Sequence, residues 1–269
     1  MGIVNVTPDS FSDGGQHTLR RQAVSHALRL VEEGAEILDV GGESTRPGAQ
    51  PVPVEEELRR VVPVIEQLRS RTKAWLSVDT MKPEVARAAL TAGAVIVNDV
   101  AANRQTPAMW EAVAEFRAGY ICMHAGGGGG PIRPADLHRP VKLRGGGGTQ
   151  LTRFFKERLN ALQRYGVKPE QVVLDPGIGF GKTLEQNLRL LAGLPEFHRL
   201  GRPLLLGVSR KSFIEKLLGA NLKERLPASL SCATLAVADG VQIIRTHDVA
   251  ETVQAVRMAE AILNRKQRA

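Results

Sequence analysis

Apolar residues recur along the chain in short runs that end in a polar or acidic residue. Eight such runs predict strands at residues 2–6, 37–40, 74–78, 95–97, 120–123, 172–174, 204–208 and 241–244. Between them, apolar residues at helical spacing predict helices at residues 19–33, 54–71, 83–91, 107–116, 149–165, 183–194, 226–238 and 249–264. Continuous apolar strands are typical of buried parallel sheets. The alternation predicts a single-domain (β/α)8 TIM barrel, an α/β fold, although an open doubly wound sheet fits the same pattern.

Two glycine runs interrupt this pattern, at residues 126–130 and 145–148, with a basic, proline-containing segment between them. Consecutive glycines offer no side chains to pack and little backbone restraint. We therefore expect residues 126–148 to form a flexible loop within a barrel domain that spans residues 1–269, and we assign the loop no function.

Composition narrows the class of protein. The chain has 269 residues, 43% of them hydrophobic, which is ample for one large core. The sequence contains no long apolar run and no signal-peptide pattern, so we expect a cytoplasmic protein without a membrane span. Cys122 and Cys232 lack metal-ligand spacing and are expected to be free thiols. The net charge of +8 comes from basic residues interleaved with glutamate, which argues against nucleic-acid binding and allows at most the steering of a small polyanion.

The sequence DPGIGFGK at residues 175–182 at first resembles a phosphate-binding P-loop. A P-loop needs glycine five residues before Gly181, where this chain has Pro176, which has no N–H to offer an anion. The chain also lacks a Cys/His zinc pattern, a G-x-S-x-G motif and a strand-associated G-x-G-x-x-G motif. Zinc hydrolysis, serine hydrolysis and Rossmann-type hydride transfer are therefore disfavoured, and Lys182 has no assigned role.

Polar residues follow nearly every predicted strand, and in a barrel these positions share one face. They are Asn5, Asp39, Asp79, Asn98, Asp99, His124, Asp175, Ser209, Arg245 and His247. Taken singly, these residues have structural alternatives. Asp79 could be a helix N-cap and His124 could be a core histidine. Asp39 and Asp99 could support neighbouring residues. Their convergence favours a binding site.

The types of side chain suggest a ligand with two parts. Asp175, Asp79 and Asn98 suit the amino-pyrimidinone edge of a flat heterocycle, because a carboxylate accepts parallel hydrogen bonds from an N–H and an exocyclic amine. The groups that suit an anion, with or without a divalent cation, are Asn5, Arg46, Arg245 and His247.

Six motifs, in order along the chain, resemble those of the bacterial dihydropteroate synthase family. They are NVTPDSFSDGG at 5–15, DVGGESTRPG at 39–48, SVDT at 77–80, DPGIGFGK at 175–182, GVSRKSF at 207–213 and RTHDV at 245–249. The resemblance implies a (β/α)8 barrel that condenses 6-hydroxymethyl-7,8-dihydropterin diphosphate with p-aminobenzoate in folate biosynthesis. It also implies a transferase that is a sulfonamide target and a homodimer.

The resemblance implies a role for each matching residue. The pterin would bind to Asp79, Asn98, Asp175, Lys211 and Arg245. The diphosphate would bind to Arg46, Arg245 and His247, with Asn5 as the ligand of Mg2+. The p-aminobenzoate site would contain Thr45, Pro47, Phe180 and Ser212, with Phe11 closing over it. The residues implied in catalysis are Asp79, Lys211, Arg245 and His247.

Two features depart from the family pattern. Relatives usually carry a segment before the first strand, so we expect this chain to lack a cover for the barrel floor. Where the family continues after His124 with Met-Gln-Gly, this chain has Ala125 and a glycine run, which leaves the fifth loop's contribution open. The alternatives are a pterin-dependent methyltransferase domain, which would not be expected to carry GVSRKSF with RTH, and a non-catalytic basic RNA-binding protein.

Overall fold

The computed structural model describes residues 1–7, 16–46, 48–102, 107–126, 136–143 and 147–266. Within them, the eight predicted strands are confirmed, with ends that differ from the prediction by at most two residues. The strands are β1 (Gly2–Asn5), β2 (Ile37–Gly41), β3 (Trp75–Asp79), β4 (Ile96–Asp99), β5 (Gly119–Met123), β6 (Val172–Asp175), β7 (Leu205–Gly207) and β8 (Ile243–Arg245).

The strands pair in parallel and close into a barrel. Strands β1 to β6 form one sheet in chain order, and β7 pairs with β8. Isolated parallel bridges join the two sheets, between Leu174 and Leu204 at one seam and between Gly2 and Thr246 at the other. The closed ring confirms the barrel and excludes the open doubly wound sheet.

Helices follow the strands, as predicted. They are α1 (Gln16–Glu32), α2 (Val54–Arg69), α3 (Pro83–Ala92), α4 (Ala108–Glu115), α5 (Gly148–Arg164), α6 (Leu184–Ala192), α7 (Ser212–Leu218), α8 (Leu226–Ala238) and α9 (Val249–Lys266). The sequence pattern did not predict α7, whose seven residues are too few to show helical periodicity. Gly34 and Gly93 follow α1 and α3 with φ of +104° and +123°, the left-handed conformation expected of glycine there.

The main hydrophobic core lies between the strands and the surrounding helices. Leu38 and Val40 of β2 pack there with Val61, Ile65 and other buried residues of α2. Cys122 is buried and Cys232 partly buried, and the two form no disulfide bond with each other. Among the described residues, no helix combines the length and the apolar character needed to cross a bilayer.

Candidate active site

On one face of the sheet, the side chains change from apolar to polar toward the carboxyl ends of the strands. One apolar cluster on that face contains Ile37, Ile96, Ile121, Val173, Leu205 and Ile243. Residues two apart in a strand point to the same face. Four of these apolar residues are followed, two positions later in the same strand, by a polar residue. The polar residues are Asp39, Asn98, Asp175 and Arg245. Charged and amide groups therefore stand next to an apolar layer, on the side of the barrel where ligands bind.

Asp39 is the centre of a buried polar network. Its side chain is fully buried, and its Oδ1 accepts a 2.6 Å hydrogen bond from Ser77 Oγ. Its Oδ2 accepts from Asn98 Nδ2 at 2.8 Å and from Arg245 Nε at 2.6 Å. The sequence signal for this role was a carboxylate inside an otherwise apolar strand, in register with a buried serine on β3.

Arg245 connects Asp39 to Asp79. Arg245 Nη2 donates to Asp79 Oδ2 at 2.7 Å. Burial alone would lower the pKa of Arg245, but the two carboxylates raise it above its usual value, so the guanidinium keeps its charge. Burial raises the pKa of Asp79; Arg245 opposes that shift and Asp39 adds to it. Asp79 does not cap α3, because the N-cap position belongs to Lys82.

Asp175 and Lys211 form a second charged region. Asp175 Oδ1 accepts a 2.7 Å hydrogen bond from the backbone N–H of Gly177. Lys211 Nζ donates to the carbonyl of Ile178 and lies 4.6 Å from the centroid of the Phe180 ring. Burial raises the pKa of Asp175 and lowers the pKa of Lys211 to about 8, while the charge of each group opposes the shift of the other.

His247 lies in a region of positive charge. Burial, the largest cause, and the positive charges of Arg210, Arg245 and Arg46 together lower its pKa to about 3, while the charge of Asp248 opposes them. Its Nδ1 is 3.0 Å from Ser209 Oγ. The imidazole is therefore neutral at pH 7, and several guanidinium groups influence one region, which favours an anionic ligand.

Thr45 and Phe180 are connected through His138, to which the sequence analysis gave no function. His138 Nε2 is 2.7 Å from the Thr45 carbonyl oxygen, and the His138 ring stacks on Phe180. Ser212 is exposed at the first residue of α7 and shares with His138 a cavity of about 300 Å³. The predicted residues Pro47 and Phe11 lie outside the described residues.

Comparison with known proteins gives the family. The sequence profile described as pterin binding enzyme matches residues 1–247. The chain belongs to this family. It is 48% identical over 267 residues to dihydropteroate synthase of Escherichia coli strain K12, and the alignment covers 99% of this chain and 92% of that protein. It is 44% identical over 263 residues to dihydropteroate synthase of Synechocystis sp., with coverage of 97% and 89%.

Solved structures of relatives match this pterin-binding barrel closely. Dihydropteroate synthase of Xanthomonas albilineans with 4-aminobenzoic acid superimposes with a TM-score of 0.88 at 48% identity, covering 98% of this chain and 92% of that chain. The same protein in complex with 7,8-dihydropteroate gives a TM-score of 0.85 at 45% identity, with the same coverage. The Yersinia pestis dihydropteroate synthase in a sulfonamide drug complex gives 0.88 at 44% identity, covering 98% and 94%.

Asn5 is predicted from the sequence to be a ligand of Mg2+. Asn5 ends β1 in register with Gly41, which pairs in turn with Asp79 on β3. Among the described residues, no group of three or more His, Cys, Asp or Glu side chains converges as a metal site. Mg2+ usually keeps several waters and binds one or two protein oxygens plus substrate phosphates. The amide oxygen of Asn5 is suited to be such a single protein ligand, with waters and substrate phosphates as the others.

Asp99 and His124 make contacts with the protein's own chain at the ends of β4 and β5. Asp99 is fully buried and accepts hydrogen bonds from the Tyr120 hydroxyl at 2.7 Å and the Ala101 backbone N–H at 2.9 Å. The His124 ring packs edge-on against Phe154 with centroids 4.9 Å apart. These contacts fix the loops after β4 and β5.

Lys182, which has the place of a P-loop lysine, binds the backbone instead of a phosphate. Its Nζ is buried and donates to the carbonyl oxygens of His124 at 3.0 Å, Gly177 at 2.8 Å and Phe180 at 3.2 Å. The ammonium thereby holds the loop after β6 closed on itself and attached to the end of β5.

Proposed function

We propose that this chain is a dihydropteroate synthase, which joins 6-hydroxymethyl-7,8-dihydropterin diphosphate to p-aminobenzoate and releases 7,8-dihydropteroate and diphosphate in folate biosynthesis. The observation that carries the proposal is one connected set of buried charges and amides at the carboxyl ends of the strands. Asp39, Asp79, Asn98 and Arg245 are joined by hydrogen bonds, and Asp175 at the end of β6 and Lys211 after β7 interact electrostatically with Arg245. The high identity to proteins of that name supports it.

The pterin would bind to the inner part of this set. The Asp175 carboxylate is suited to accept parallel hydrogen bonds from a ring N–H and the exocyclic amine. Lys211, only 4.6 Å from the Phe180 ring centroid, would donate to the ring carbonyl. Asn98 would contact the ring edge, and Arg245 would lie along its face.

The diphosphate would bind where His247 lies among positive charges. Arg46 and Arg245 would pair with its oxygens, and the His247 ring would donate a hydrogen bond to it. Asn5 would hold Mg2+ together with the diphosphate, and a bound magnesium ion would neutralise negative charge on the leaving group.

In the reaction, the bond between the pterin methylene carbon and the diphosphate oxygen breaks, and its electron pair leaves with diphosphate. Asp79 would stabilise the resulting pterin-methyl cation, by about 4 kcal/mol at ~4 Å and an effective dielectric constant near 20, before desolvation is subtracted. The amine of p-aminobenzoate then attacks the cation and loses a proton to solvent. Orientation between Thr45, Pro47, Phe180 and Ser212 would be the main requirement for that step.

We also propose a cytoplasmic homodimer built on one barrel domain over residues 1–269. Large apolar side chains are exposed on α7, on α8, on α9 and on the 3-10 turn between α7 and α8. They are Leu217, Leu218, Leu222, Leu235, Met258 and Ile262. Apolar surface that a single copy leaves uncovered is typical of a protein interface. Analytical ultracentrifugation at micromolar concentration should give twice the chain mass.

A condensation assay tests the activity. The purified chain is incubated with dihydropterin diphosphate, p-aminobenzoate and Mg2+, and dihydropteroate is measured by chromatography. We expect product from the wild type and a loss of roughly 100-fold or more in kcat/KM for Asp175→Ala. A folded wild-type chain that forms no dihydropteroate but binds methyltetrahydrofolate would refute the proposal and favour the methyltransferase alternative.

A further inference from the structure

The segment 136–143, between the two glycine runs, packs against the mouth of the barrel. Leu137 is fully buried in a cluster that includes Met123 and the partly buried Phe180. The backbone N–H of Val141 donates to the Gly181 carbonyl at 2.7 Å. A Cβ atom on Gly181, which has a φ of +67°, would lie 2.3 Å from a backbone oxygen of the segment. The segment and the loop after β6 are therefore fitted together at a position that only glycine permits.

His138 is the residue of this segment that reaches the two neighbouring loops. Its Nε2 lies 2.7 Å from the Thr45 carbonyl oxygen in the loop after β2. A carbonyl oxygen only accepts, so Nε2 is the donor in this contact. The His138 ring also stacks on Phe180 in the loop after β6, with centroids 5.2 Å apart and ring planes 17° apart. One side chain thus bridges two residues that belong to the proposed arylamine site.

A cavity next to this bridge is large enough for a small aromatic ligand. Its volume is about 300 Å³, and its lining includes His138, Ser212 and Lys216. Cavities from about 300 Å³ upward are typical of small-molecule sites. His138 therefore lines, together with Ser212, a space of the size that a small aromatic ligand needs.

We propose that His138 is a positioning residue for p-aminobenzoate, which fixes the distance between Thr45 and Phe180 and so sets the affinity for the arylamine. The inference rests on the proposed function, since it takes both residues as parts of the p-aminobenzoate site. Two loops held in the bound arrangement lose less conformational entropy when the ligand binds. The effect should appear in KM for p-aminobenzoate and not in binding of the pterin, whose proposed contacts lie on other residues.

Two substitutions separate the hydrogen bond from the ring contact. His138→Ala removes both, and we expect the KM for p-aminobenzoate to rise about 5- to 30-fold. His138→Phe keeps a ring for stacking, so we expect a rise of only about three- to fivefold. In both variants the KM for dihydropterin diphosphate and kcat at saturating p-aminobenzoate should stay within about twofold of the wild type.

His198→Ala is the matched control. His198 Nε2 also lies within hydrogen-bond distance of a backbone carbonyl, that of Asp239 at 2.6 Å, but His198 is an exposed residue of the 3-10 helix Leu194–Leu200. Its kinetic constants should equal those of the wild type. Thermal unfolding of each variant shows whether a change is merely structural.

The results distinguish this inference from the proposed function. An active wild type with an unchanged KM for p-aminobenzoate in His138→Ala, or a parallel rise in both KM values, overturns the role of His138 alone. A folded but inactive wild type overturns the proposed function, and this inference with it. Should His138→Ala fail to fold, His138→Phe decides, and an unchanged KM for p-aminobenzoate in that variant overturns the inference.

Discussion

Replacing Asp39 with asparagine tests whether a buried charge holds Arg245 in its working position. The substitution keeps the shape of the side chain and removes its negative charge. In the wild type, Oδ1 accepts from the Ser77 hydroxyl and Oδ2 accepts from Asn98 and Arg245. The new amide should turn its NH2 group toward Ser77, whose hydroxyl can rotate to accept. The hydrogen bonds then survive, and the charge is what is lost.

The structure gives the size of the effect. The Asp39–Arg245 contact is 2.6 Å long, and unit charges ~4 Å apart at an effective dielectric constant near 20 attract by about 4 kcal/mol. Asparagine recovers part of this, because a fully buried carboxylate costs free energy to desolvate, and Arg245 keeps Asp79 at 2.7 Å. We therefore expect a net loss of about 2 kcal/mol, which corresponds to roughly a 30-fold loss in kcat/KM for the pterin substrate.

The assay is kcat/KM for dihydropterin diphosphate at saturating p-aminobenzoate, together with urea unfolding. Asp99→Asn is the matched control, because Asp99 is equally buried but accepts from Tyr120 and a backbone N–H. The control should lose stability while kcat/KM stays within about threefold of the wild type. A kcat/KM for Asp39→Asn within about twofold of the wild type, or equal losses in both variants, would refute the reasoning.

Three further predictions concern loops and pH. Lys182→Met removes an ammonium that donates to three backbone carbonyls, so the free energy of unfolding should fall by about 2–4 kcal/mol; an unchanged urea midpoint contradicts this. Glu43 accepts from the Val52 backbone N–H at 2.6 Å and pairs with Lys82, so Glu43→Ala should speed hydrogen exchange of the Val52 amide by about tenfold or more; wild-type protection would count against that. Burial lowers the pKa of His247 from 6.5 to about 3, so between these values the unfolded chain binds a proton that the folded chain does not, and the free energy of unfolding declines as pH falls from 6.5 toward 3. His247→Gln should make this decline shallower, and equal slopes in the two proteins would disprove the assignment.

The sequence predicted the strands well because each is nearly continuous in apolar residues, as a strand buried on both faces requires. The sequence did not decide between a closed barrel and an open sheet. The two seams of the barrel depend on single bridges, at Leu174 and at Gly2, and hydrophobic periodicity does not predict such bridges. It missed α7 because a seven-residue helix after a polar motif has the same pattern as a loop. Short elements are fixed by tertiary contacts more than by local preference.

For the candidate site, the sequence identified polar residues but not how they are connected. Asp39 was predicted as a support, and the structure makes it the acceptor for three neighbours. Its partners come from β3, β4 and β8, and Arg245 is 206 positions away, so no local pattern could join them. His138 was overlooked because flanking glycines remove every periodic signal, while its function depends on contacts with two distant loops.

Charge is divided between the two parts of the mouth in a way that suits the proposed reaction. The inner groups are Asp39, Asp79, Asp175, Lys211 and Arg245. Arg245 pairs there with the carboxylates of Asp39 and Asp79, while the charges of Asp175 and Lys211 act on each other. The positive charges of Arg210, Arg245 and Arg46 act on the region of His247, where Asp248 opposes them. A pterin-methyl cation would form beside the carboxylates of the inner groups, and diphosphate would depart toward the guanidinium groups near His247. This arrangement lowers the free energy of separating the two charges.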